Sequence, residues 1–235
     1  MEITTTIQLP RVLKKTSSSL ASPSPSFSVY VSKDYFKFNA AHFIAFKGYR
    51  EKLHGHNYKV DLKIWGRKNG DGYVLDFGKI KAVLRDLCKD INEHVILPVN
   101  SNVLEISEKG ENVNVKCEDG SLFSFPRNDC KLLPIEHSSA EELAEYILGK
   151  TIEHFSEEYL LQMRGVTAME IAVSEAPNQL ATCRIQLPAL TAGKVAPAQA
   201  ATEIQSNQIK TVQADFDISK NAHPRKRVKP CLCAT

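Results

Sequence analysis

The sequence predicts an α+β protein, an antiparallel sheet with two helices packed on one face. Three observations predict it. Segments with strand alternation follow one another directly, as hairpins do. Two stretches repeat their apolar residues with helical period. The element order, β-β-α-(β-rich insertion)-α-β-β, contains no alternating βαβ unit. Composition agrees with a globular chain: 235 residues, 43% hydrophobic and 24% charged. No apolar run approaches the roughly 20 residues needed to span a bilayer, so no membrane partner is expected.

Residues 1–29 are rich in Ser, Thr and Pro, with Glu2 as their one acid and Arg11, Lys14 and Lys15 as their bases. Such a stretch buries too little apolar surface to order itself and reads as a flexible extension. Its Ser-rich, acid-poor character also suits a transit peptide, so a cytoplasmic and an organellar location both stay open. Two strands follow, at about 31–43 and 54–66. In the first, Phe36, Phe38, Ala40 and His42 share one parity. In the second, His54, His56, Tyr58, Val60, Leu62 and Ile64 do, while Lys59, Asp61 and Lys63 take the other face.

Asp76-Phe77-Gly78 opens a helix with the stripe Ile80, Val83, Leu84, Leu87 and Ile91. An insertion at about 101–131 alternates around the turns Lys109-Gly110 and Asp119-Gly120 and reads as short paired strands. A second helix starts at Ser138 or Ser139, each with a glutamate three residues on, the capping-box pattern. Ala144, Ile147, Leu148, Thr151, Ile152 and Phe155 form its stripe. A strand at about 166–175 places Met169, Ile171 and Val173 on one face and ends that face in Glu175. After Ala176-Pro177-Asn178 the chain returns as Leu180–Leu187. A four-stranded open sheet leaves edges to cover, and association into a larger closed assembly is one way to cover them.

The folded domain is thus placed at 30–187. Residues 188–235 carry seven Lys/Arg against three Asp/Glu, which accounts for all of the chain's net charge of +3. The run Arg225-Lys226-Arg227-Val228-Lys229 has the form of a polyanion-binding cluster, but a solvated basic tail is the simpler reading, and no nucleic-acid partner is expected. The six cysteines show no Cys-x-x-Cys spacing, which suits free thiols in a reducing compartment.

Chemistry concentrates at His42, His54 and His56. Two histidines at i and i+2 point the same way only on an extended strand. The matching parity of His42 brings a third imidazole to the ends of the two strands joined by one loop. Each histidine alone reads as a partly buried residue with one hydrogen bond. Together they form the ligand set of a catalytic zinc with one position open. Imidazoles suit zinc, and the ligand types alone also admit copper, iron or nickel.

The ordered motifs are similar to those of one family. Phe38-Asn39-Ala40-Ala41-His42, Leu53-His54-Gly55-His56-Asn57-Tyr58, Val74-Leu75-Asp76-Phe77, Glu93-His94, Ser139-Ala140-Glu141 and Glu175 resemble the 6-pyruvoyltetrahydropterin synthase / 6-carboxytetrahydropterin synthase family. The resemblance implies a T-fold, whose sheets close into a barrel between subunits, commonly a homohexamer built as a dimer of trimers. It implies zinc on the three histidines, a small-molecule pterin substrate held by Glu175 with Ser139, and His94 as a catalytic proton shuttle beside Glu93. Relatives usually carry Asp at the position of Glu93. Those that make pyruvoyl- or carboxytetrahydropterin carry a catalytic cysteine four residues before the first histidine of His-x-His. Here that position is Arg50, followed by Glu51, and no cysteine precedes Cys88. The loop resembles the type III members, in which a glutamate replaces the cysteine.

That resemblance implies a zinc-dependent lyase of folate biosynthesis, cleaving the side chain of 7,8-dihydroneopterin or its triphosphate to 6-hydroxymethyl-7,8-dihydropterin, with Glu51 as base. The alternatives are a synthase in which Glu51 stands in for the thiol, and a pterin-binding paralogue without turnover. Lys47, Arg50 and Lys52 share the loop and are candidates to meet a triphosphate, or simply face water.

Overall fold

The computed structural model describes residues 25–157 and 165–187. The stretch before 25 and the basic tail, with its Arg225–Lys229 cluster, Cys231 and Cys233, lie outside the described residues. The strands are β1 (Phe27–Val31), β2 (Lys37–His42), β3 (Ala45–Phe46), β4 (Tyr49–Arg50), β5 (His54–Gly66), β6 (His94–Pro98), β7 (Leu104–Lys109), β8 (Asn112–Cys117), β9 (Leu122–Pro126), β10 (Cys130–Leu133), β11 (Val166–Ala176) and β12 (Gln179–Gln186). The helices are α1 (Phe77–Ile91) and α2 (Ala140–Glu157). The fold class is α+β, as expected.

One sheet runs β10-β6-β2-β5-β11-β12, with β1 also paired to β5. The long β5 organises it, because its parity is strict. Tyr58, Val60, Leu62 and Ile64 are fully buried. They pack with Phe36 and Phe38 against Ile80 and Leu84 of α1 and Leu143, Ala144 and Ile147 of α2. Each such side chain contributes about 1.5–3 kcal/mol of burial, which holds both helices on this face. Asp76 caps α1, its Oδ1 accepting from Gly78 N–H at 2.6 Å. Ser139 Oγ accepts from Glu142 N–H at 3.3 Å at the head of α2. The Glu142 carboxylate reaches past Ser139 and accepts from the N–H groups of Glu136 and His137.

Three details differ from the sequence expectation. The first strand, expected at 31–43, is the shorter β2, and a separate strand β1 precedes it, beginning at Phe27 within the stretch expected to be flexible; the two pair with successive parts of β5. The main sheet has seven strands rather than four, because β1, β6 and β10 join it, and both β10–β6 and β6–β2 are parallel pairs. Strand β6 hid because Val95-Ile96-Leu97 is a continuous apolar run without alternation, and β10 has only four residues. The insertion therefore gives its last residues, Cys130 and Lys131, to the main sheet. Its own strands form a separate sheet, β7-β8-β9. That sheet buries Val113, Val115 and Cys117 in a second cluster with Phe43, Ala45 and Leu97. Among the described residues no helix is long and apolar enough to cross a membrane.

Candidate functional site

The antiparallel pairing of β2 with β5 sets His42 opposite His54 and Ala40 opposite His56. Gly55 lies between the two histidines of β5. A Cβ there would stand 3.1 Å from the Ala40 carbonyl oxygen, so a glycine lets the strands close up at this point. The three imidazoles face one another, with ring centroids 4.6 Å (His42–His54), 5.1 Å (His42–His56) and 4.9 Å (His54–His56) apart. One nitrogen from each lies within 4.8 Å of the others.

Two of the rings are held in a defined tautomer. His42 Nδ1–H donates to the Ser138 carbonyl at 2.7 Å, and His54 Nδ1–H donates to the Lys52 carbonyl at 2.7 Å. A carbonyl only accepts, so each Nδ1 carries the proton and each Nε2 presents its lone pair. His42 Nε2 is buried and has no hydrogen-bond partner. A buried polar atom left unpaired calls for an explanation, and a cation on that lone pair supplies one. Burial is the main cause that lowers the His42 pKa. The neighbouring His54 and His56 push the same way, against the Ser138 bond and Glu175. The ring is thereby kept in the neutral form that binds metal. These residues fit a divalent ion.

Carboxylates stand nearby. Glu51 is tied twice to Ile44, two residues beyond His42: its Oε2 accepts from Ile44 N–H at 3.0 Å, and its own N–H donates to the Ile44 carbonyl at 2.9 Å. Glu175 sits at an irregularity in the pairing of β11 with β12 near the end of β11 and accepts from the Tyr58 hydroxyl at 3.4 Å. Burial, the charge of Glu175 and its hydrogen bond, and the charge of Glu51 all raise the Tyr58 pKa. Tyr58 is thus a neutral donor.

His94 stands apart from the three-ring group. It pairs with Ala40 across β6 and β2, and its Nδ1–H donates to the Asn92 carbonyl at 2.7 Å. His56, Glu93 and His94 line a common cavity of about 470 Å³ together with Asn39 and Asp129. Glu93 has a left-handed backbone, φ 61°, which turns the chain from α1 into β6. Its N–H donates to the Asn39 carbonyl at 2.7 Å, while Asn39 N–H donates to Asn92 Oδ1. Ser139 Oγ accepts from a helix N–H, which leaves its own proton to donate. Arg50 is committed elsewhere: its guanidinium meets Asp119, Ser121 and the Glu51 carbonyl. The loop's phosphate-meeting expectation therefore rests on Lys47 and Lys52.

Sequence reasoning missed Ser138, whose carbonyl orients His42 and whose buried Oγ donates to the Phe43 carbonyl at 2.9 Å. A backbone oxygen carries no residue-type signal. The doubled Ser138-Ser139 was its only trace. It also placed Tyr58 in the core without its hydroxyl partner.

Fold and site together define a class: an α+β protein with an imidazole tripod that could hold a metal ion where two strands end, flanked by carboxylates. The chain belongs to the 6-pyruvoyl tetrahydropterin synthase family, whose model matches residues 30–186, and its α+β architecture is that family's T-fold. A solved 6-pyruvoyl tetrahydropterin synthase from Plasmodium vivax is 47% identical, with a TM-score of 0.67, over 70% of this chain and 100% of that one. The Plasmodium falciparum synthase is 45% identical, with a TM-score of 0.67, over 69% and 99%. Two further structures of the P. vivax protein are of variants in which a glutamate, described as a catalytic residue, is changed to alanine or cysteine. A Methanocaldococcus jannaschii protein, provisionally named a 6-carboxy-5,6,7,8-tetrahydropterin synthase, is 29% identical over 149 residues, 63% of this chain and 89% of that protein.

Proposed function

We propose that the chain is a zinc-dependent pterin lyase of folate biosynthesis, which cleaves 7,8-dihydroneopterin or its triphosphate to 6-hydroxymethyl-7,8-dihydropterin. One observation carries this reading: the loop before His54 offers a glutamate and no thiol. The Glu51 carboxylate is held by Ile44 N–H beside the tripod. That a glutamate serves as a catalytic residue in the P. vivax relative supports the same role for Glu51.

Zinc on His42, His54 and His56 would act as a Lewis acid that polarises the side-chain hydroxyls. Glu175 accepts two N–H groups from the guanidine-like edge of the pterin, and Tyr58 holds that carboxylate from behind. The Ser139 hydroxyl donates to the bound ring system. Glu51 takes the proton of the C2′ hydroxyl. The C1′–C2′ bond then breaks, its electron pair passes toward the ring imine, and an aldehyde leaves. His94, beside Glu93, returns a proton at C1′ to give the hydroxymethyl group. The outer edges of β1 and β12 are unpaired among the described residues, and copies of the chain would close them as a homohexamer, a dimer of trimers.

The test is product identification by mass spectrometry with purified, zinc-loaded protein. Hydroxymethyl-dihydropterin is the expected product. Glu51→Ala should slow its formation about 10²–10⁴-fold, the range for loss of a general base, with zinc content unchanged. A pyruvoyl or carboxy product would instead establish the second reading, a tetrahydropterin synthase, which the relatives' names favour. Tight pterin binding without turnover would leave a binding paralogue.

A further inference from the structure

The insertion does more than cover a second core. Its β8–β9 turn reaches the loop between β2 and β5 that carries Glu51, and grips it at two places. Glu118 Oε2 accepts from Gly48 N–H at 2.9 Å. Arg50 fills the gap between turn and loop with all three guanidinium nitrogens engaged. Its Nε donates to Asp119 Oδ2 at 2.9 Å, Nη2 to Ser121 Oγ at 3.0 Å, and Nη1 to the Glu51 carbonyl at 2.8 Å. The guanidinium also lies 5.9 Å from the Phe43 ring centroid and 5.4 Å from that of Phe123, two rings stacked 5.1 Å apart. Asp119 is itself set in place, its Oδ1 accepting from Ser121 N–H at 2.9 Å.

An exposed ion pair contributes little to stability, about 0–1 kcal/mol. This one differs in what it is joined to. The Arg50 side chain is only 19% exposed, and its planar fork bonds the carbonyl of the residue whose carboxylate is tied to Ile44. Glu51 is therefore held from two sides, by Ile44 across the loop and by its neighbour Arg50, which Asp119 and Ser121 of the insertion fix in place. Displacement of a reacting group by about 1 Å can reduce rate 10²-fold, so such a hold matters to turnover far more than to folding.

We propose that the β8–β9 turn is the positioning element of the active-site loop: Asp119 and Ser121, acting through Arg50, set the place of Glu51. This deepens the lyase reading and rests on it for the role of Glu51. Arg50, Asp119 and Ser121 are positioning residues that touch no substrate.

The experiment uses the full, zinc-loaded chain. Asp119→Ala and Ser121→Ala are made alone and in the Glu51→Ala background, with Asp119→Asn as a variant that keeps the turn's shape. In otherwise wild-type protein, Asp119→Ala should lower kcat about 10- to 100-fold with KM little changed, and Asp119→Asn should lower it less. In the Glu51→Ala background the same change should have almost no further effect, because the group being positioned is gone. Equal fold-losses in both backgrounds, or an unchanged kcat, would overturn the proposal. Hydrogen exchange supplies an arm independent of the reaction. The Glu51 amide, bonded to the Ile44 carbonyl, should exchange faster in Asp119→Ala while the β11 amides keep their rates. If the protein turns over no dihydropterin, the lyase reading fails and exchange still decides the clamp; unchanged Glu51 exchange would refute it.

Discussion

Ser138→Ala is a small change that should weaken both the fold and the proposed metal centre. Ser138 is completely buried between the end of β2 and the head of α2. Its hydroxyl donates to the Phe43 carbonyl at 2.9 Å, and its carbonyl accepts from His42 Nδ1–H at 2.7 Å. Alanine removes the donor and leaves the Phe43 carbonyl without it in a dry site. The expected loss is about 1–3 kcal/mol, the penalty for a buried group deprived of its partner. The His42 bond survives in name, since it uses the backbone, but its acceptor loses the tether to the neighbouring strand. Outer-shell partners of metal ligands are worth 10- to 100-fold in affinity, and a loosened rather than deleted partner belongs at the lower end, about tenfold. Urea unfolding of metal-free protein, at one fixed protein concentration, reads the first effect. Competition with a chromophoric chelator reads the second. A stability loss with unchanged zinc affinity would show that the carbonyl orients His42 without help from the Ser138 side chain. No loss in either would refute the reasoning altogether.

Further outcomes follow from the same contacts. Burial pushes the Cys88 thiol up to about 12. The unfolded chain releases this proton near its ordinary pH of about 9 while the folded one keeps it, so stability is complete below that pH and should fall above it. Fluorescence-monitored unfolding across pH 8–10.5 checks the sign, and Cys88→Ala should flatten the slope. Glu93→Gly relieves a left-handed backbone that disfavours side chains by about 1–2 kcal/mol, partly offset by the greater unfolded-state freedom of glycine. A net gain of roughly 0.5–1 kcal/mol in thermal stability is expected, together with slower turnover if the carboxylate supports His94. Under the proposed binding of zinc to the assembled tripod and not to the unfolded chain, a hundredfold excess over Kd should stabilise by about 2.7 kcal/mol. A chelator should reverse the shift in Tm, and His54→Ala should abolish it.

What could be read from the sequence was whatever depends on local period. Strand parity is a property of consecutive residues, so the sequence alone places His42, His54 and His56 on one face, and they converge as expected. The stripes of α1 and α2 were legible for the same reason, with Cys88 rather than Leu87 the more buried on the first. What lay hidden depends on long-range pairing. Arg50 meets Asp119 across 69 positions, His42 meets Ser138 across 96, and Tyr58 meets Glu175 across 117. No periodicity encodes such partners, and two of these three contacts use side chains that a sequence reading assigns to solvent or core. Parallel strand β6 escaped because a strand covered on both faces loses the alternation that marks it, and β10 because four residues are too few to show a period.

The tripod lies on the seam between two hydrophobic clusters, and this has a consequence for core substitutions. His42 ends β2, whose Phe38 and Ala40 belong to the cluster under α1 and α2, while Phe43 and Ala45 belong to the cluster under the insertion. Val166→Ala in the first cluster and Val115→Ala in the second delete the same two methyl groups from buried sites. Each should destabilise by about 2 kcal/mol, from lost burial plus a residual cavity. Their effects on the loop should differ. Val115 lies on β8, whose end carries the turn that holds Gly48 and Arg50, whereas Val166 lies at the start of β11, far along the strand from Glu175. Amide exchange at Gly48 and Glu51 should therefore quicken in Val115→Ala and keep its wild-type rate in Val166→Ala at matched global stability. Equal acceleration in both would mean that the loop follows the stability of the whole domain, and that the insertion's core has no separate hold on it.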